Sequence, residues 1–252
     1  MISELSYDKA ISKGSYKVLP KAVFRISNDL KFFKNITTNE LDKEKNALID
    51  KFGKLIVLID QKIVDESIYI VLEKEFEERF LKHIDPYILL SDAIIEKQKL
   101  YAVHIINKDI NGMTIKQRIG CLLLTKNLDF DGMNEIPDDV YEVIRIENNI
   151  SVQGIDFDNN MLLENNWDEA VSYAKGCYLG QEIMARVHNL GKPARKLVRI
   201  LYDKIPEKVT SQGKDIGRIT SSCFSPKYKK YLAFALISNY DNNIDEGEIL
   251  KD

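Results

Sequence analysis

Cysteine and histidine are scarce in this 252-residue chain, at three residues each. Cys121, Cys177 and Cys223 lie far apart with no CxxC pair, so neither a disulfide framework nor a local four-ligand zinc or cluster site is encoded. The three histidines are equally scattered, and no metal site is expected. No stretch reaches the roughly 18 to 20 apolar residues of a membrane span. Residues 1–14 carry Glu4 and Asp8 without a continuous apolar run, which matches neither a secretory signal nor a transit peptide. The expectation is a soluble, cytoplasmic protein with no membrane partner. Charge of one sign is also missing: 39 acidic against 36 basic residues leave −3, so nucleic acid is not expected as a direct partner. Absent too are GxGxxG after a strand, GxxxxGK[ST], GxSxG and HExxH, which disfavours dinucleotide redox, nucleotide hydrolysis, serine hydrolysis and zinc proteolysis. No internal repeat, low-complexity tract or flexible linker breaks the chain.

What is present reads as α+β. An apolar fraction of 44% suffices for a full core. After a polar start, SYKVLP and KAVFRI read as strands interrupted by Pro20, and Ser27 or Asn28 can cap a helix with Leu30, Phe33 and Ile36 inward. ALI, KLIVLI and SIYIVL read as an antiparallel meander. EKEFEERFLKHI reads as a helix with Phe76, Phe80 and Leu81 on one face and Pro86 past its end. Strand-like runs then return at YILL, AII, LYAVHII and, after NGMTIKQRI, GCLLLT, followed by a short helix with Pro137 at its first turn. Residues 151–167 are irregular. RKLVRILY, DIGRITSSCFSP and YLAFALI suggest a small barrel or half-barrel tail.

The densest chemistry lies at 175–186, KGCYLGQEIMAR. Gly176 and Gly180 bracket Cys177 and Tyr178, and glycine at such spacing points to a constrained loop. QEIMARVHNL follows as a helix with Ile183, Met184 and Val187 on one face, ending at Gly191. Lys175 and the amide dipoles of that helix favour a thiolate at Cys177; against this stands the small buried hydrophobe that an isolated cysteine most often is. Cys121 and Cys223 sit within strands and read as packing residues. Glu182 reads equally as a ligand contact or as a helix-start charge, whereas Lys175 and Arg186 read first as solvated charges. Arg145 and Glu147, two apart at the end of an apolar helix or extended segment, read as a structural pair, and Trp167 as core or lobe interface.

KGCYLGQE resembles the signature of the YgfZ-type folate-binding proteins, related to the glycine-cleavage T-protein and to mitochondrial iron–sulfur assembly factors. RIENNISVQGID resembles that family's RxExGxPxxGxD, LLENNW its PxE step, and IGRITSSCFSPKYKKYLAFALI its C-terminal GxxTSxxxSP strand pair. FRISNDLKFFKNITTN and NALIDKFGKLI resemble its opening strand, helix and hairpin. The resemblance implies a three-lobed, aminomethyltransferase-like α+β fold with antiparallel sheets, a ferredoxin-like lobe and a small C-terminal β-barrel, around a central opening for tetrahydrofolate. It implies a folate-binding region over 1–194 and a shortened barrel over 195–252. By motif position it implies Cys177 as functional thiol, and Lys175, Tyr178, Gln181, Glu182, Arg145 and Glu147 as cofactor-binding residues. The function it implies is maintenance of iron–sulfur proteins, with iron–sulfur client or assembly proteins as partners. Where the T-protein enzymes have paired aspartates, one of them their catalytic acid, this chain has Val57 and Leu58, and aliphatic side chains cannot donate a proton. Glycine-cleavage activity is therefore not expected, and one-carbon transfer or demethylation is the alternative enzyme reading. Ser27 and Asn28 replace the family's glycine before the first helix, and Ser151 and Leu162 replace its prolines.

Overall fold

The computed structural model describes residues 4–12, 14–238 and 243–251. In chain order the elements are α1 (Glu4–Ser12), β1 (Ser15–Leu19), β2 (Lys21–Ser27), α2 (Lys31–Ile36), β3 (Lys45–Ile49), β4 (Leu55–Val64), β5 (Ser67–Glu73), α3 (Glu77–Ile88), β6 (Ile94–Lys97) and β7 (Tyr101–Ile106). They continue with β8 (Met113–Lys116), β9 (Cys121–Thr125), β10 (Asn134–Glu135), α4 (Asp138–Glu147), α5 (Gln181–Leu190), β11 (Arg195–Tyr202), β12 (Val209–Ser211), β13 (Lys214–Ser225), β14 (Lys230–Ser238) and β15 (Glu248–Ile249). Three five-stranded sheets result, ordered β3-β4-β5-β2-β6, β10-β1-β7-β9-β8 and β12-β13-β14-β11-β15. Every pairing between two of these strands is antiparallel except that of β10 with β1.

Pro20 separates two strands that belong to different sheets. A proline cannot donate to a ladder, so the break falls where the chain must leave one sheet for the next. The meander β3-β4-β5 is the one that the alternation of apolar runs predicts. Leu48 and Ile59 of this meander and Phe24 of the adjoining β2 pack into one cluster with Phe33 of α2 and Phe80 of α3. Each such side chain contributes about 2 kcal/mol by burial. Val23 and Val71 of this sheet meet Ala102, Ile115, Leu122 and Leu124 of the second, so the two sheets are joined by their own apolar faces. The third sheet, formed by strands from 195 onward, is a half-barrel whose longest strand carries a register shift between Ile219 and Ser221; such irregularities bend a strand. Leu197, Leu201, Leu232, Phe234 and Leu236 of that sheet share a core with β3, β4, Trp167 and Met184.

Several local expectations are corrected. Residues 4–12 form a helix where only a polar start was legible, and residues 1–3 lie outside the described set. Neither Ser27 nor Asn28 caps α2; the side chain of Asp29 accepts from the Lys31 amide at 2.8 Å, and Asn28 holds φ +70, so an asparagine supplies the left-handed step. Pro86 lies inside α3, and YILL is no strand: Leu89 and Leu90 follow the helix and are exposed. Ile84, not Leu81, completes the buried face with Phe80, because i and i+4 share a helix face while i and i+1 do not. No helix among the described residues is long and apolar enough to cross a membrane.

Candidate ligand cavity and signature loop

A cavity of about 640 Å³ opens where the first two sheets, α4 and the irregular segment after it converge. Its origin is a strand that outruns its neighbour. β5 pairs with β4 only from Asp60 to Val64, which leaves residues 55–59 without a partner on that side. Unmet backbone groups would be costly there. The Gln153 side chain meets them, its Oε1 accepting from the Leu58 amide at 2.9 Å and its Nε2 donating to the Ile56 carbonyl at 3.1 Å. The Asn160 carbonyl accepts from the Leu55 amide at 3.0 Å. The irregular segment thus stands in for a missing strand, and a gap remains behind it.

The cavity has an apolar wall, including Leu58, Leu122, Ile150, Val152 and Trp167, and a polar end of Lys21, Lys45, Asp60, His104, Gln117 and Tyr141. Leu58 and Asp60 both reach it because residues two apart on a strand share a face. A carboxylate is therefore present one pleat beyond the aliphatic pair. The Lys45 ammonium bridges Asp60 Oδ1 and Gln117 Oε1, and Gln117 Nε2 donates to the same Oδ1 at 3.1 Å. Lys21 lies 3.7 Å from Asp60 Oδ2 and 2.7 Å from Glu73. Burial alone pushes the Asp60 carboxyl up, but Lys45 and Lys21 outweigh it and hold the group below the ordinary carboxylate range. It is ionised at neutral pH.

His104 is neutral there. Burial pulls its imidazole down to about 4. Nε2 lies 2.7 Å from the Ile119 carbonyl, which can only accept, so Nε2 carries the proton; Nδ1 then accepts from the Tyr141 hydroxyl at 2.8 Å. Trp167 is sealed in place by a hydrogen bond from its indole to Ser151 Oγ at 2.9 Å, with Lys45 and Arg118 at 5.0 and 4.6 Å from its ring centroid. The replacement of proline at Ser151 thus provides the indole with its acceptor.

Of the residues singled out by motif, Arg145 lines this cavity. Its guanidinium is 2% exposed and clasped by Glu142 at 2.5 Å and Asp156 at 2.7 Å. Glu147 does not share the cavity. Residues two apart on a helix point about 200° apart, and Glu147 instead accepts from the Tyr7 and Ser225 hydroxyls, tying α4 to α1 and the half-barrel. An extended segment would have put the pair on one face; α4 is a helix.

The signature loop also stands outside the cavity lining. Lys175 is buried, not solvated, and donates to the carbonyls of Lys34, Thr37 and Asn39, closing the C-terminal end of α2. Burial pulls its ammonium down to about 8, which leaves it charged at neutral pH. Tyr178 is buried with its ring 5.3 Å from that ammonium. Gln181 Nε2 donates to the Lys175 carbonyl at 3.2 Å, and Glu182 is exposed at the start of α5. Gly180 adopts φ +80, and a Cβ there would lie 2.4 Å from the Asp50 carbonyl. Gly176 is different: its φ is not positive and a Cβ would have no neighbour within 4 Å. The constrained glycine is Gly180 alone. Cys177 is exposed, so it is neither a core hydrophobe nor a cavity residue. Cys223, in contrast, is pushed up to about 12 by burial and by Glu147.

Sequence reasoning did not find Lys45, Asp60, His104, Gln117 or Tyr141. For Asp60 a signal existed, since strand alternation places it on the face of Leu58. The others come from segments far apart in sequence, and no local pattern joins them. Among the described residues no group of three or more His, Cys, Asp or Glu is placed to hold a metal ion.

No protein-family model matches the chain. A 66-residue stretch, 25% of the chain, is 36% identical to an iron–sulfur cluster assembly factor IBA57 homolog, mitochondrial, from Mycosarcoma maydis, and the match spans 16% of that protein's length. The whole architecture is similar to the crystal structure of glycine cleavage system aminomethyltransferase T from Bartonella henselae. That superposition has a TM-score of 0.78 at 10% identity and covers 93% of this chain and 81% of the other. The likeness is one of fold.

Proposed function

We propose that this chain, which has the fold of a glycine-cleavage aminomethyltransferase T, is a folate-binding accessory protein for assembly or repair of iron–sulfur proteins. The observation that carries the reading is the cavity: about 640 Å³, within the usual range for small-molecule sites, with one wall aliphatic and aromatic and one end polar. Tetrahydrofolate has that division, a flat apolar body with a donor-rich ring edge, and the residues present fit it. Trp167, Ile150 and Val152 offer a flat apolar wall, while Asp60, Tyr141 and Arg145 face the polar end. When bound, a reduced folate supplies a carrier for one-carbon units. The iron–sulfur half of the reading is supported by the resemblance of KGCYLGQE and by the assembly-factor name of the partial relative.

Cys177 is the functional thiol in this reading. Its exposure lets it meet a client or assembly protein at the surface, separately from whatever the cavity holds. In cells deleted for the gene, the wild-type chain should restore the activity of an iron–sulfur enzyme and Cys177→Ser should not; full restoration by the serine variant would remove the thiol from the account.

One observation favours a second reading, tetrahydrofolate-dependent one-carbon transfer or demethylation: the cavity does hold a carboxylate, Asp60. An ionised carboxylate clasped by two lysines is a poor proton donor at neutral pH, so the accessory role stands first. Incubation with tetrahydrofolate and an aminomethyl-lipoyl carrier distinguishes the two, because methylene-tetrahydrofolate, ammonia and the free dithiol form only if transfer occurs.

A further inference from the structure

Helix α5 buries one side and leaves another bare. Met184 is fully buried, whereas Ile183, Val187 and Leu190 recur at spacings of four and three residues and form one stripe about 10 Å long. Ile183 and Val187 are half-buried, and Leu190 is 74% exposed. The tip of the β3–β4 hairpin lies against the start of this stripe: a Cβ at Gly53 would stand 3.4 Å from Ile183 and 3.5 Å from Met184. Phe52, one residue back, is 59% exposed. Asp50 Oδ1 accepts from the amides of Phe52 and Lys54 at 2.8 and 2.9 Å, which fixes the backbone that carries the ring. Cations frame the stripe. Arg186 lies between Ile183 and Leu190 on the helix surface, three residues from one and four from the other. Lys51 stands 5.0 Å from the centroid of the Phe52 ring, Lys54 shares the tip, and Lys192 follows just past Gly191. All four are exposed, and none forms an ion pair among the described residues. Against them stand Glu182 in the first turn of α5 and Asp50, turned onto the amides of its own hairpin.

We propose that this stripe of α5 and the adjoining hairpin tip form a docking surface for an acidic protein segment with apolar side chains at its centre. Apolar residues in the middle with cations at the rim complement such a segment: the centre supplies affinity, and the rim charges steer the encounter. Phe52 and Leu190 bring fewer side-chain carbons than one myristoyl chain, whose own hold on a bilayer is marginal. A chain with a net charge of −3 is also not drawn as a whole to anionic lipid or nucleic acid. A protein is therefore the favoured occupant. Cys177, exposed, lies four residues before α5, and the Gly180 backbone between them is pressed against the Asp50 carbonyl, so loop, tip and helix make one continuous surface. This deepens the reading of Cys177 as a thiol that meets a partner, and rests on that reading for its purpose though not for the binding itself.

The test is fluorescence anisotropy with the full chain and a labelled helical probe peptide, rich in glutamate and with leucines spaced four and three residues apart. Two control peptides carry lysine in place of its glutamates or serine in place of its leucines. At about 50 mM salt the wild-type chain should bind the probe roughly tenfold more tightly than either control, and about 300 mM salt should weaken the probe several-fold. Leu190→Glu and Arg186→Glu, both at exposed positions and checked by thermal unfolding, should each lower the affinity roughly tenfold, and Cys177→Ser should leave it unchanged. No binding of the probe, equal binding of a control, or binding untouched by both glutamate variants overturns the proposal. So does a wild-type dimer in analytical ultracentrifugation that Leu190→Glu dissociates, which makes a second copy the occupant. Sedimentation with phosphatidylserine vesicles that Leu190→Glu abolishes also overturns it, in favour of a bilayer. If the probe results hold but Cys177→Ser fully restores iron–sulfur enzyme activity in deleted cells, the thiol reading falls and the docking surface stands; the reverse outcome removes the docking surface alone.

Discussion

Replacing Lys175 by methionine separates a structural clamp from a ligand contact at the first residue of the signature. The ammonium donates to the carbonyls of Lys34, Thr37 and Asn39. After substitution Asn39 keeps Asn46 Nδ2 at 3.1 Å and Lys34 keeps the Thr37 hydroxyl at 3.5 Å, but the Thr37 carbonyl is left with no side-chain donor. A buried acceptor stranded in this way costs about 1–3 kcal/mol, and the two weakened bonds add to it. Release from burying a cation offsets part, so the net loss is about 3 kcal/mol. For 252 residues the unfolding entropy is roughly 0.5 kcal/mol per degree, and the Tm should fall by about 6 °C. Scanning calorimetry measures this, and titration with tetrahydrofolate on the same samples should show affinity changed by less than threefold. An unchanged Tm with a tenfold loss of affinity would refute the clamp and make Lys175 a ligand contact.

The two signature glycines should behave oppositely. Gly180→Ala places a Cβ 2.4 Å from the Asp50 carbonyl at φ +80 and should cost about 2 kcal/mol or more in urea unfolding, whereas Gly176→Ala should stay within about 0.5 kcal/mol. The His104 imidazole titrates at about 4 in the fold against its ordinary 6.5, so between those values the unfolded chain binds more protons and stability falls as pH drops. The loss is up to about 3 kcal/mol, and His104→Gln should flatten the unfolding free energy across that window. Iodoacetamide on the folded chain should label Cys177 first, with Cys223 protected until unfolding, because one thiol is exposed and the other is pushed up to about 12. Peptide mass spectrometry gives the order of labelling.

The parts legible in the sequence are those set by local periodicity. The meander 45–73, helix α5 with its Gly191 end and the three long strands of the half-barrel follow from alternation, helical spacing and glycine position. Three residues fixed by neighbours distant in sequence were not legible. Lys175 reads as a solvated charge until α2 places three carbonyls around it. Arg145 and Glu147 read as a pair until α4 proves helical and sends one to the cavity and the other to the Tyr7 and Ser225 hydroxyls. The cavity itself was the least legible part. It exists because β4 extends past β5 and Gln153 covers the surplus edge, a mismatch in length between paired strands that no single segment records.

The central claim is that the cavity between the first two sheets, rather than the signature loop, holds a reduced folate. Calorimetric titration of tetrahydrofolate into the wild-type chain and into Leu58→Trp, which fills the apolar wall, tests it directly. One-to-one binding to the wild-type chain, lost in Leu58→Trp and kept in Cys177→Ser, is the predicted result. Binding that survives the filled cavity but disappears with the cysteine, or no binding at all, would contradict the account.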